Sequence, residues 1–170
     1  TARSSRLLAL AELTPNRTGV IGFDCVPITS AETTQFGFAG VFAGNLAAVR
    51  YFDVVATISQ ASAAEYSGWR SMLSAIGVNG PLIQPVQLPV EVADPPPADI
   101  EAARARFLVG RLPLVLVVGS HEPRKNHLAV LHAAELLWRE GIEFSLSFVG
   151  GNSWGRDRFT RRLADRPRAG

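Results

Sequence analysis

Residues 112–151 constrain the fold most tightly. The run LPLVLVVG (112–119) is apolar on both faces, the pattern of a strand covered on both sides within a parallel sheet. NHLAVLHAAELLWREG (126–141) follows at helical spacing. Val130, Leu131, Ala133, Ala134, Leu137 and Trp138 share one face, and His132, Glu135, Arg139 and Glu140 the other. Gly141 stops the helix, and in EFSLSFVGG (143–151) Phe144, Leu146 and Phe148 alternate with serines as a strand requires. Strand, helix and strand within about 40 residues make one parallel crossover unit, so the sequence predicts an α/β fold.

The first part repeats this grammar less regularly. Residues 3–13 read as a short helix closed by Thr14-Pro15-Asn16. GVIGFDCVPI (19–28) reads as a buried strand that leaves into a loop from Asp24 to Thr34. A helix over 38–52 is weakened by its glycines, and DVVATIS (53–59) is a second strand. Ser62-Ala63-Ala64-Glu65 has the spacing of a capping box, opening a helix whose Tyr66, Trp69, Leu73 and Ile76 are expected in the core. Gly77 and Gly80 end it, and 81–89 is a third extended segment. Pro89, Pro95, Pro96 and Pro97 then exclude both a central strand and a helix interior, leaving a stiff linker. Beyond it, a helix over 99–108 has Asp99 as its expected N-cap. The expected organisation is thus part of one Rossmann-like domain over 1–89, a linker over 90–98, and part of a second such domain over 99–170.

Composition narrows the class. Hydrophobic residues make up 47% of the 170 and charged ones 19%, a globular balance. No apolar run approaches the roughly 20 residues of a membrane span, and Thr1-Ala2-Arg3 opens no signal-peptide pattern. The single Cys25 excludes an internal disulfide and fits a reducing compartment. Charge is uneven: residues 1–100 carry net −3 and residues 101–170 net +5. A basic second part suits an anionic ligand, although charge alone leaves nucleic acid, anionic lipid and plain solvated surface open.

The stretch GSHEPRKNH (119–127) sharpens the point. Arg124 and Lys125, the latter the only lysine, fall in or just before the first turn of a helix, where the macrodipole already disfavours cations. A bound anion would reverse that cost, since ligands of open α/β sheets lie beyond the carboxyl ends of the strands. Neither G-x-x-x-x-G-K-[ST] nor G-x-G-x-x-G occurs, which excludes a Walker-type ATPase and weakens a dinucleotide reading. A phosphate site with neither fingerprint points towards nucleotide-sugar chemistry. The spacing of His121, His127 and His132 does not suit a metal site. The arginine-rich tail over 156–168 reads as a solvated helix without the aromatic interleaving of a nucleic-acid module.

Three segments carry a resemblance. VVGSHEPRKNHLAVLHAAELLWREG with FSLSFVGGNSWG resembles the second-domain opening of GT-B glycosyltransferases of family 4, the retaining "group 1" enzymes. GVIGFDCVPI is similar to their strand leading into an Asp-x-x-Pro loop, and FDVVATISQASAAEY to the strand-Ser-helix before the interdomain linker. The resemblance implies an acceptor-side first domain and a donor-binding second domain. It places Lys125 on the donor diphosphate, with Gly119, Ser120, Arg124, Asn126, Gly150 and Trp154 on the donor side, and Asp24 as an active-site carboxylate. Ser120 stands where many members have arginine, and Phe23 where many have histidine.

The resemblance further implies transfer of a sugar, with mannose from GDP-mannose a candidate, to a saccharide or lipid-linked acceptor. It implies no metal and no cofactor beyond the donor substrate. No nucleic-acid partner is expected. The implied location is cytoplasmic, at the inner face of a membrane if the parent enzyme is peripheral. The family's E-x7-E segment is expected after position 170 and its first glycine loop before Thr1. A non-catalytic anion-binding or interaction module built from Rossmann-like units remains the alternative.

Overall fold

The computed structural model describes residues 2–165. Arg166, Pro167 and Arg168 of the expected tail helix lie outside the described residues. The chain forms two compact units, one ending at Glu91 and the other starting at Val92. Residues 86–96 between the flanking elements carry no regular secondary structure and are exposed throughout.

The first unit has the order α1 (Ala2–Leu13), β1 (Gly19–Gly22), α2 (Val26–Thr29), a 3-10 turn (Ala31–Thr33), α3 (Phe38–Val49), β2 (Val54–Thr57), α4 (Gln60–Ala75) and β3 (Leu82–Pro85). Its three strands are parallel in the order β1-β2-β3, with Val20 opposite Val55 and Val55 opposite Ile83. The central strand is paired on both sides, so Val55 and Thr57 lose all contact with solvent. Burying a valine this completely contributes about 1.5–3 kcal/mol. Around Val55 gather Cys25, Leu46 and Tyr66, flanked by Val20, Phe42, Val49, Trp69 and Ile83. At the start of the sheet the Thr18 N–H donates to Asp53 Oδ2 at 2.6 Å, and this bond holds the Asp53 carboxyl below its ordinary range.

Three expectations are corrected here. The segment from Asp24 to Thr34 is not an open loop: Pro27, with φ preset for helix, sits in the first turn of α2. Helix α4 starts at Gln60, capped by Ser59, whose hydroxyl accepts from the Ser62 N–H at 3.1 Å. The capping box at Ser62 therefore does not form, and Glu65 is released for another task. Of the apolar stripe, Tyr66 is buried whereas Ile76, in the C-terminal cap, is 69% exposed.

The second unit runs α5 (Pro97–Phe107), β4 (Leu114–Val118), a 3-10 turn (Pro123–Lys125), α6 (His127–Arg139), β5 (Ser145–Val149) and α7 (Asp157–Ala164). Strands β4 and β5 are parallel, with Leu114 opposite Ser145 and Val118 opposite Val149, and a bridge between His121 and Asn152 extends the pairing. The crossover unit is thus present, a mixed α/β arrangement with parallel strands of the kind found in Rossmann-like units. Leu131 and Ala134 of α6 are buried, and the Trp138 indole stacks on Phe144 while its N–H donates to the Phe144 carbonyl at 2.8 Å.

Four further expectations change in this unit. Helix α5 opens at Pro97, which needs no N–H partner there, so Asp99 lies in the first turn and is not the cap. Strand β4 is not covered on both faces: Val115, Leu116 and Val118 are exposed, and Leu116 and Val118 line an apolar groove with Ile100 and Phe107 of α5. Glu135 does not face water, because the Arg162 guanidinium reaches it from α7 at 2.6 Å and the side chain is 8% exposed. Helix α7 is not simply solvated either, since Phe159 is buried. Among the described residues no helix is long and apolar enough to cross a membrane.

Candidate functional site

Two loops leave the carboxyl ends of β4 and β5 side by side, and glycine is what lets them meet. A Cβ on Gly150 would fall 1.9 Å from the Gly119 carbonyl oxygen, an impossible overlap with backbone. At Gly155, φ is +73° and a Cβ would lie 2.8 Å from Pro123 Cγ, so conformation and room both require glycine. The Gly119 N–H donates to the Val149 carbonyl at 2.9 Å, and the His121 N–H to that of Gly151 at 3.0 Å.

Within the first loop the charges sort themselves. The Ser120 hydroxyl donates to Glu122 Oε1 at 2.8 Å, and Arg124 Nη2 lies 3.0 Å from the same oxygen. Burial would raise the Glu122 carboxyl, but the Ser120 bond and the charges of Arg124 and Lys125 outweigh it and hold it below the usual range. Arg124 is thus neutralised within the loop. Lys125 makes no ion pair among the described residues, is exposed, and runs its methylene stem past Gly119.

The cations fall just before α6, the second of the two placements that the sequence allows. They close a 3-10 turn, and Asn126, with φ +50°, breaks the chain direction before α6 begins at His127. The Asn126 N–H donates to the Pro123 carbonyl at 3.0 Å. The N–H groups of His127 and Leu128 find no acceptor among the described residues, as expected at a helix start. Lys125 therefore comes two residues before the first N–H of α6 that lacks an acceptor among the described residues.

Sequence reasoning missed the aromatic floor under these loops. The His127 ring, almost fully buried, stacks on Phe148 at 5.4 Å and meets His121 and Phe159 edge-on at 5.3 and 5.2 Å. Nδ1 lies 3.3 Å from the Lys125 carbonyl and Nε2 3.3 Å from that of Gly119, so the nitrogen that carries the proton decides which end of the loop the ring holds. A cavity of about 250 Å³ opens above, walled by His121, Asn126, His127, Gly155, Arg156 and Phe159. Of the residues that the resemblance places on the donor side only Asn126 reaches that wall; Gly119, Ser120, Arg124, Lys125, Gly150 and Trp154 do not line it. The available signal was Phe159 and Leu163, four apart in an arginine-rich run, which is a minimal apolar stripe. His132 is exposed, and among the described residues no three His, Cys, Asp or Glu side chains gather where a metal could bind.

Asp24 belongs to the first unit, at the end of β1. Its Oδ1 accepts from the Val26 N–H at 3.1 Å, a turn-forming bond, and its side chain is otherwise exposed beside the exposed Phe23 ring. Behind it Cys25 is buried, and this burial, with the nearby charges of Glu65 and Asp24, pushes its thiol up to about 11. Burial, then Cys25, Asp24 and Glu65, pushes the Tyr66 phenol up to about 12. An unfolded chain would release both protons first. The stabilisation is therefore present below the ordinary thiol value of 9.0 and is lost as pH rises towards 11 and 12. Urea melts should show the first unit weakening between pH 9 and pH 11, with slow alkylation of Cys25 in the native state. A flat stability profile across that window would contradict this packing.

Placed against known proteins, the chain is similar over a limited stretch to sugar-transferring enzymes. No protein-family model and no solved structure matches it. Over 55 residues, 32% of this chain, it is 42% identical to the serotype-specific mannosyltransferase WbdA of Escherichia coli. Another WbdA from that organism is 40% identical over the same length. The matched stretch spans only 7% of either relative.

Proposed function

We propose that this chain contributes to a retaining glycosyltransferase of the GT-B family 4 type. It would move a sugar, with mannose the candidate, from a nucleotide-diphosphate donor to a saccharide or lipid-linked acceptor. The similarity to mannosyltransferases supports the class, and one observation in the second unit carries the site. Lys125 is an exposed cation with no ion pair among the described residues, and the N–H groups of His127 and Leu128, two and three positions on, find no acceptor among them. A compact ammonium on a flexible stem next to a helix start is suited to a diphosphate. As the glycosidic bond breaks, negative charge grows on the leaving diphosphate, and preorganised cations and N–H groups stabilise it. Arg124, held by Glu122, would supply charge only by exchanging partners. Asp24 would meet the transferred sugar through the carboxylate oxygen that the turn leaves free.

The test is a titration of GDP and of UDP into the wild-type chain and Lys125→Ala, read by amide chemical shifts. One charge-assisted contact is worth about 1.5–3 kcal/mol, so affinity should fall roughly tenfold or more. Thermal stability should hold, because no ion pair is lost. Equal nucleotide-induced shifts in both proteins would remove the diphosphate role and favour an interaction module.

A further inference from the structure

Two successive peptide units at the end of β1, 23–24 and 24–25, are tied by three bonds to one face of α4, and we infer that Glu65 is the positioning residue that sets the Asp24 carboxylate. The inference rests on reading Asp24 as the group that meets the sugar. The Ser62 hydroxyl donates to the Phe23 carbonyl, Glu65 Oε2 accepts the Cys25 N–H at 2.7 Å, and the Tyr66 hydroxyl donates to the Asp24 carbonyl at 3.4 Å. Positions 62, 65 and 66 are three and four apart, so one helical face presents all three groups. Gly22 makes the approach possible: a Cβ there would lie 2.8 Å from the Tyr66 ring and 2.7 Å from Val55 Cγ1.

Every one of these bonds goes to backbone, and none to the side chain of residue 23 or 24. The clamp therefore fixes where Phe23 and Asp24 stand while leaving both side chains exposed. An anchor serving packing alone would have no need to keep an aromatic ring and a carboxylate facing water. Among the three ties, the Glu65 bond is charge-assisted and short, and the Tyr66 bond is the longest, so Glu65 carries most of the restraint. With Tyr66 it holds both polar groups of the Asp24–Cys25 peptide, the unit that directly follows the Cα bearing the carboxylate.

The experiment compares wild type, Glu65→Gln and Glu65→Leu as the full 170-residue chain. Amide exchange at Cys25, the Asp24 side-chain carboxyl resonance and thermal melts are recorded for each, and GDP-mannose is titrated with Asp24 as reporter. Glu65→Leu should speed Cys25 exchange about tenfold or more and displace the Asp24 resonance. Glu65→Gln, whose amide oxygen still accepts, should fall between the two. If Glu65→Leu does not fold, faster Cys25 exchange in Glu65→Gln than in wild type decides the matter. Variants that melt earlier yet leave the Cys25 and Asp24 signals unmoved would overturn the positioning role. A wild-type Asp24 that ignores GDP-mannose would sink the sugar-site reading instead, while exchange and resonance still decide whether Glu65 sets Asp24.

Discussion

Gly150→Ala is expected to disrupt the second unit more than any other single-methyl addition. The new Cβ would meet the Gly119 carbonyl oxygen at 1.9 Å and its carbon at 2.5 Å. Those atoms are backbone, pinned by the bond from Gly119 N–H to the Val149 carbonyl and by the bridge between His121 and Asn152, so no rotamer change relieves the overlap. The two loops must part, at a cost of about 3 kcal/mol or more, the upper end of overpacking. Gly151→Ala is the internal control, since nothing lies within 4 Å of the added atom. Urea unfolding followed by Trp138 and Trp154 fluorescence, in a Trp69→Phe background, should separate the two variants clearly. Matching midpoints would mean that the loops do not approach as described. Because Gly119 carries the Lys125 stem, Gly150→Ala should also weaken nucleotide binding.

Phe159→Ala should follow closely. The ring is buried against His121, His127 and Phe148, with centroids 5.0, 5.2 and 4.8 Å away. Truncating a buried phenylalanine costs about 3–5 kcal/mol, through lost transfer energy and the cavity left behind. Helix α7 would lose its apolar anchor, and Arg162, which reaches Glu135 from that helix, would lose its purchase. Leu163→Ala, at a position 39% exposed, should cost much less. A loss under about 1 kcal/mol for Phe159→Ala would show that α7 is not packed on this floor.

Elements whose signal is local were legible in the sequence. The serine alternation gave β5, and the 3.6-residue repeat gave α6, because each is written in neighbouring residues. What depended on distant partners was not. Glu135 reads as solvent-facing until Arg162, 27 residues later, folds back over it. Glu65 reads as a capping residue until the Cys25 N–H, 40 residues earlier, claims it. The apolar run of β4 states what could be buried and says nothing of whether a neighbour covers it, hence Val118 at 71% exposure. In the candidate donor loop, Lys125 makes no ion pair among the described residues, whereas the pairing of Arg124 with Glu122 needed the turn geometry that brings residues two apart together. The aromatic floor was hidden for the same reason: its four rings come from four separate elements.

The left-handed Asn126 has a consequence for how this loop can change over generations. By ending one short turn and starting the next helix at a single residue, it keeps Arg124 and Lys125 out of the first helical turn, where they would work against the fold. Positive charge is thus gathered at the loop by backbone shape, without being drawn from the stability of α6. Residue 125 makes no ion pair among the described residues, so on the donor-site reading proposed above a bound anion is what would favour a lysine there. Descendants that lost the ligand would be expected to lose this lysine first and keep Asn126, His127 and the glycines that build the loop.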